Sequence, residues 1–406
     1  MELFRLAVQI CAVFAVCMAC GRIARALRQP AVIGEIAGGL LLGPSVFGRW
    51  LPAASAWLFP VGHLDGLERL SDGGLILFLF ALGLEMDLTR LMARGRLVLL
   101  TTLGSLGVPF ATGVVVALAF ASRYLDAGRS LLAFVLFVGT AYSITALPVL
   151  GRILRDRAAI GKPVRPQVAE LVFACATAND GAAWILLLLA LTAAHGGAAF
   201  GGVGRSIALL AVFVAVMVFA VRPLLQRWFD RVQSEWMRLL LCVLLAFASA
   251  FVTTTLGVHA FFGAVLAGAC ARRAAGWPHV FEARLKPILA IALPVFFALT
   301  GLKTRLTWDA KSLGFTALVV VTAAASKIVA GAFGARIGDR PWHEALEVGV
   351  LLNTRGLVEL IVLNLGLRAG VLTPTLFSTM VVMAIVTTAM TVPGLDVLQR
   401  MRRVDA

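Results

Sequence analysis

Apolar runs, each followed by a short polar connection, recur along the whole chain. They predict about thirteen helical spans, near residues 3–21, 31–48, 70–86, 97–120, 131–154, 167–194, 205–225, 238–256, 258–271, 287–302, 312–335, 346–367 and 375–398. The ninth and tenth are short, and Gly257 marks the weakest division, between the eighth and ninth. The pattern is that of an all-α polytopic membrane protein, because the helices of a soluble domain would need a polar face that these runs lack.

Composition agrees with this, and charge adds a topology. Of 406 residues, 60% are hydrophobic and only 14% charged, with a mean hydropathy of +0.95, which excludes a soluble domain of this size. A formal net charge of +15 would suggest a nucleic-acid partner in a soluble protein, but here the basic residues fall on alternate connections. Odd-numbered connections and the C-terminal tail hold 24 of the 36 lysines and arginines, among them Arg22, Arg25, Arg28, Arg90, Arg94, Arg157, Lys162, Arg222 and Arg227. Even-numbered connections and the N-terminus hold 10. The positive-inside rule then puts the N-terminus outside and the C-terminus in the cytoplasm, and no nucleic acid is implied. The first span lacks a basic n-region and a small-residue cleavage site, and reads as a retained signal anchor. Cys11, Cys17, Cys20, Cys175, Cys242 and Cys270 all fall within spans without metal-site spacing, and read as small packing residues. Arginine outnumbers lysine 31 to 5, in keeping with a GC-rich bacterial genome, and the expected location is the plasma (inner) membrane.

The candidate chemistry concentrates in the sixth span. Asn179 and Asp180 stand side by side within the apolar stretch 168–194, so Asp180 lies near the bilayer midplane. A charge there costs about 2.5–3.5 kcal/mol on insertion scales. The expectation is a site for a monovalent cation and a proton at Asp180. Ala176, Ala178, Gly181 and Ala182 leave space around the pair, and Trp184 falls one turn above Asp180 on the same helix face.

Three other spans carry groups that could serve that site. In the fifth, Pro148 supplies no amide hydrogen and clashes with the Ile144 carbonyl, which predicts a helix opened around Ser143 to Ala146. Freed carbonyls with the hydroxyls of Ser143 and Thr145 would suit a hard cation. On this span alone, a cation site and a harmless proline kink stand level. In the eleventh, Lys327 is far from either end; it either pairs with a carboxylate, Asp180 being one candidate, or sheds its proton, and snorkelling is the bland alternative. In the twelfth, Arg355 and Glu359 are four apart and can pair on one face, as a structural ion pair or as part of the site, while Thr354 and Gly356 weaken the helix. Glu35 reads as a carboxylate near a helix N-terminus, Glu85 and Asp87 as partners of loop arginines, and His259 as a structural histidine. Spans five and twelve are seven apart, an odd number, so equivalent spans would run in opposite directions. Spans one to six and eight to thirteen would then form two inverted repeats joined by span seven.

Ser143-Ile144-Thr145-Ala146-Leu147-Pro148-Val149-Leu150, followed by Asn179-Asp180, Lys327 and Asn353-Thr354-Arg355-Gly356-Leu357-Val358-Glu359-Leu360, resembles the cation:proton antiporter-2 family of monovalent cation/proton exchangers. The likeness is strongest to Kef-like and plant CHX-type members and covers essentially the whole chain, including Gly34 to Pro44 and Gly83 to Asp87. It implies an elevator-type sodium/proton antiporter fold with crossed broken helices, a homodimer in the lipid bilayer, and no cofactor besides the transported Na+ or K+ and H+. The family's ion-binding aspartate would correspond to Asp180, its motif neighbour to Asn179, its helix-opening threonine to Thr145 and its core lysine to Lys327. Its second broken helix would carry Arg355, Gly356 and Glu359. Dimerisation helices would occupy 1–96 and 238–308, core ion-transport helices 97–194 and 309–398, a linker helix 195–237 and a cytoplasmic tail 399–406.

Two departures from the family pattern matter. Electrogenic members have two adjacent acids where this chain has Asn179-Asp180, and Kef-type members carry a nucleotide-binding regulatory domain for which the eight-residue tail leaves no room. One carboxylate neutralised by either one proton or one cation predicts electroneutral exchange. The alternative from another class is a sodium-coupled organic-solute symporter of the same architecture. An intramembrane aspartyl protease would need a second membrane aspartate, and Asp72 and Asp87 sit near span ends.

Overall fold

The computed structural model describes residues 2–27, 29, 31–60, 64–85, 95–195, 200–232, 234–256, 260–271, 278–304 and 310–404, and every regular element among them is helical. In chain order these are α1 (Glu2–Ala26), α2 (Ala31–Leu42), the short α3 (Phe47–Trp50) and α4 (Pro52–Leu58), α5 (Asp65–Glu85), α6 (Gly95–Tyr124), α7 (Leu131–Ser143), α8 (Leu147–Ala159) and α9 (Pro166–His195). There follow α10 (Phe200–Val216), a π-helical turn (Met217–Val221), α11 (Arg222–Arg231), α12 (Glu235–Thr255), α13 (Ala260–Ala271), α14 (Pro278–Lys303), α15 (Ala310–Ile337), α16 (Trp342–Leu352), α17 (Leu357–Arg368) and α18 (Pro374–Val404). Each predicted span contains helix; among the described residues seven helices are long and apolar enough to cross a membrane, and α7 and segments of α13 and α14 are shorter apolar helices. The division at Gly257, with His259, Arg28, Asp87, Arg90 and Arg94, lies outside the described residues.

Spans five and twelve are the two that break. Pro148 becomes the second residue of α8, where a missing amide hydrogen costs nothing, so helix stops at Ser143 and restarts at Leu147. The second halves of both broken spans close alike. After α8, Gly161 N–H donates to the Ala158 carbonyl and Lys162 N–H to that of Arg157; after α17, Gly370 and Val371 do the same to Leu367 and Gly366. Gly161 and Gly370 have φ of 70° and 66°, the left-handed geometry that ends a helix with its last carbonyls satisfied.

Two expectations about polar connections change. The connection after span seven is helical, with Arg222 to Arg231 forming α11. Arg157, counted above as a loop charge, is buried within α8 and donates to Asp396 Oδ1 (3.1 Å) and Gln399 Oε1 (2.7 Å) of α18, with Lys162 sharing Asp396 at 3.2 Å.

The chain forms two compact units. One comprises Met1–Ala15, Leu51–Met86 and Ala198–Leu299, the other Val16–Trp50, Asp87–Gly197 and Thr300–Ala406. The core of the first is built from Phe80 and Leu84 of α5, Met217, Phe229 of α11, Cys242 and Ala246 of α12, and Ala267 and Cys270 of α13. Helices α5 and α13 approach so closely that a Cβ on Gly83 would lie 2.1 Å from the Val265 carbonyl oxygen, and one on Gly268 2.0 Å from that of Phe80. Only glycine permits this approach, which between membrane helices supplies contact that the hydrophobic effect cannot. In the second unit, α15 packs against α6, α16 and α18, and α9 against α6 and α7.

The glycine contact is testable by thermal unfolding in detergent. Gly268→Ala should destabilise by about 1–3 kcal/mol through overpacking against a backbone that has no room to yield. Gly73→Ala, where an added Cβ meets nothing within 4 Å, should leave the unfolding temperature unchanged or raise it.

Candidate functional site

Helix α9 is continuous, and Asn179 and Asp180 lie at its middle, the first with 0% and the second with 3% of its surface exposed. The Asn179 amide nitrogen Nδ2 donates to Ser105 Oγ on α6 and to Thr145 Oγ1 in the break between α7 and α8, both at 3.2 Å. Asn179 Oδ1 and Asp180 Oδ1 are both buried without a hydrogen-bond partner. Trp184 is also buried, one turn along α9.

The break in span five frees carbonyls at the end of α7, and cationic side chains from elsewhere take them. Arg355 spreads its guanidinium across two, Nη1 donating to Ala141 O and Nη2 to Tyr142 O. Lys327 Nζ, from α15, donates to the Ser143 carbonyl. Arg355 Nη1 also pairs with Glu359 Oε1 at 3.0 Å, with both residues fully buried. These cations sit where the α7 dipole is negative, which is where a cation is most favourable.

The break in span twelve is closed by the break in span five and by α18. Thr145 Oγ1 donates to the Leu352 carbonyl at the end of α16 (3.0 Å), and Ala146 N–H donates to the Thr354 carbonyl (2.9 Å). Arg355 N–H donates to Thr388 Oγ1 (2.9 Å), which donates in turn to the Arg355 carbonyl (2.8 Å), while Asn353 Nδ2 donates to the Thr387 carbonyl (3.2 Å). Gly356 is needed where the two breaks meet, since a Cβ there would lie 2.5 Å from Val149 Cγ2.

The structure therefore brings Ser143, Thr145, Asn179, Asp180, Lys327, Arg355 and Glu359 into one buried cluster within the second unit, with three adjustments to the expected contacts. Ser143 takes part through its carbonyl, because its hydroxyl donates back to the Thr140 carbonyl at 2.9 Å. Lys327 finds a carbonyl rather than Asp180; among the described residues no ion pair within 4.0 Å joins the two. Arg355 serves the α7 carbonyls as well as Glu359. Sequence reasoning missed Ser105, Thr387 and Thr388, and gave Asn353 no role beyond its place in the quoted motif. The signals for the first three were hydroxyl residues in apolar spans, such as Thr101 and Ser105 one turn apart in α6 and the Thr387-Thr388 pair in α18.

The chemistry open to this cluster follows from burial. An ionised carboxylate with an unpartnered oxygen, taken out of water, costs several kcal/mol unless a counter-charge or a proton reaches it. Asn179, next to it in the chain, has a neutral carboxamide oxygen that is likewise buried without a partner, the kind of oxygen that suits a hard cation of low charge.

Comparison with known proteins gives the family and the fold. The family described as "Sodium/hydrogen exchanger, transmembrane" matches residues 12–397. The cation/H(+) antiporter 19 of Arabidopsis thaliana is 38% identical over 382 residues, 90% of this chain and 46% of that protein. The Na(+)/H(+) antiporter NhaS4 of Synechocystis is 33% identical over 374 residues, 90% of each chain. The chain spans about half the length of the plant relatives it matches. Among solved structures, the sodium proton antiporter MjNhaP1 from Methanocaldococcus jannaschii superposes with a TM-score of 0.66 at 17% identity, covering 97% of this chain and 96% of that one, a likeness of fold. With the family pattern matched from residue 12 to residue 397, the chain belongs to the sodium/hydrogen exchanger family of membrane transporters.

Proposed function

We propose that this chain exchanges a monovalent cation, K+ or Na+, for protons across the membrane by alternating access at Asp180. The observation that carries the reading is a fully buried carboxylate at the middle of a membrane-length helix, with one oxygen left without a partner. Relatives named as a plant cation/H(+) antiporter and a cyanobacterial Na(+)/H(+) antiporter support the class of reaction. In this reading the cation is held by Asp180 with help from Asn179 and Thr145, and the proton replaces it on the same carboxylate. Lys327, Arg355 and Glu359 keep the broken helices assembled around the site. Residues 97–194 and 309–398 supply the transport core, and residues 1–96 and 238–308 a homodimer interface. The N-terminus faces outside and the C-terminus the cytoplasm of a bacterial inner membrane.

Exchange is electroneutral. Asp180 has an amide, not a second acid, beside it, and Lys327 is engaged with the Ser143 carbonyl. A single carboxylate then crosses either protonated or cation-bound, and only the neutralised form crosses cheaply.

Two measurements test this in proteoliposomes of the full chain. Asp180→Asn should reduce cation-driven proton flux to the level of empty liposomes while the protein stays folded and monodisperse; retained exchange would sink the assignment. Wild-type exchange should run at the same rate under an imposed potential of either sign and build none of its own. A rate that follows the imposed potential would show that one-for-one exchange is wrong.

A further inference from the structure

Two hydroxyls hold the Asn179 carboxamide, and their own hydrogens are committed elsewhere. Thr145 Oγ1 donates to the Leu352 carbonyl at 3.0 Å, and Ser105 Oγ donates to the Thr102 carbonyl, one turn back in α6, at 3.3 Å. A hydroxyl has one hydrogen, so at Asn179 both oxygens can only accept. Both hydrogens of Nδ2 are thereby drawn to Ser105 and Thr145, at 3.2 Å each. The carboxamide oxygen is on the opposite arm of the group and, like Oδ1 of Asp180, the next residue in α9, it is buried without a partner. Turned over, the amide would set Oδ1 against two oxygens with no hydrogen to share, an arrangement that burial makes costly. Ser105 is fully buried beneath α15, where a Cβ added to Gly331 would come 3.7 Å from its own, so bulk water does not stand in for it.

We infer that Ser105 is a positioning residue for cation recognition: it locks the Asn179 carboxamide so that Oδ1 is presented as a neutral carbonyl ligand to the alkali cation held by Asp180. The inference rests on the reading of Asp180 given above. A proton binds the carboxylate alone and has no use for a second ligand at cation distance. Ser105 therefore governs cation affinity and discrimination among alkali ions, and leaves the proton side of the exchange alone. Thr145 does the same from the other side, but it also closes α16, so Ser105 is the position at which orientation can be separated from assembly.

The test is exchange by the full chain in proteoliposomes with Li+, Na+, K+ and Rb+ as probes. Ser105→Ala should raise the KM of the preferred cation roughly five- to tenfold, the worth of one buried hydrogen bond. It should also flatten the preference among the four ions, and leave the pH dependence at saturating cation unchanged. Ser105→Thr, which restores an accepting hydroxyl, should return KM and ion preference to wild-type values. Ser105→Cys, a weak acceptor of similar size, should fall between and carries the test if the alanine variant does not fold. A folded Ser105→Ala or Ser105→Cys protein with wild-type KM and ion preference overturns the inference. So does an equal loss of maximal rate in the alanine and threonine variants at unchanged KM, the mark of packing alone. Asp180→Asn is run alongside: if it is inactive while Ser105→Ala behaves as wild type, only this inference fails, whereas exchange by Asp180→Asn removes the reading of Asp180 itself.

Discussion

A helix that stops inside a bilayer leaves carbonyls with no water to satisfy them, and each one left bare costs several kcal/mol. Helices α7 and α16 both stop in this way, and the rest of the second unit answers that demand. The carbonyls of Ala141, Tyr142 and Ser143 receive the guanidinium of Arg355 and the ammonium of Lys327, and the Leu352 carbonyl receives the Thr145 hydroxyl. Arginine suits the first task because its planar fork reaches two successive carbonyls while keeping a further hydrogen for Glu359. The two breaks also bond to each other through Ala146 and Thr354, so neither could open alone without stranding the other.

Lys327 and Arg355 are engaged at the break, Arg355 with Glu359 as well, whereas Asp180 has a buried oxygen without a partner and, among the described residues, no ion pair. Its carrier, α9, is unbroken, so the carboxylate stands on a continuous helix beside the two interrupted spans. Glu359 keeps its role within the Arg355 pair, which lets a buried arginine face backbone carbonyls without an uncompensated charge.

Ties farther along the same unit hold these elements together. Arg157 and Lys162 bind α8 to Asp396 of α18, and Arg165, just before α9, pairs with Glu344 of α16 at 2.6 Å, with Arg340 on the other carboxylate oxygen at 3.3 Å. Burial alone would raise the Glu344 carboxyl, but Arg165 and Arg340 outweigh it and hold it below the usual carboxylate range. That contact is therefore in place at neutral pH and is lost only as pH falls through the lowered value.

Much of this protein was legible in its sequence because bilayers impose one-dimensional rules. Hydropathy along the chain located the spans, Pro148 located the opening in span five, and the cost of a midplane charge pointed to Asp180, each from local chemistry alone, while Thr354 and Gly356 marked only a weakened helix in span twelve. Partners were another matter. Lys327 stood between a carboxylate partner, a shed proton and snorkelling, and it meets a carbonyl; Arg157 looked like a loop charge and is buried in a helix; and nothing in the pattern pointed to Ser105. Which donor meets which acceptor depends on which helix faces pack together. Residues 33 to 214 positions apart in sequence make the contacts between elements that close this site. Only the tertiary structure decides that, because a hydrogen bond is settled over about 3 Å in space.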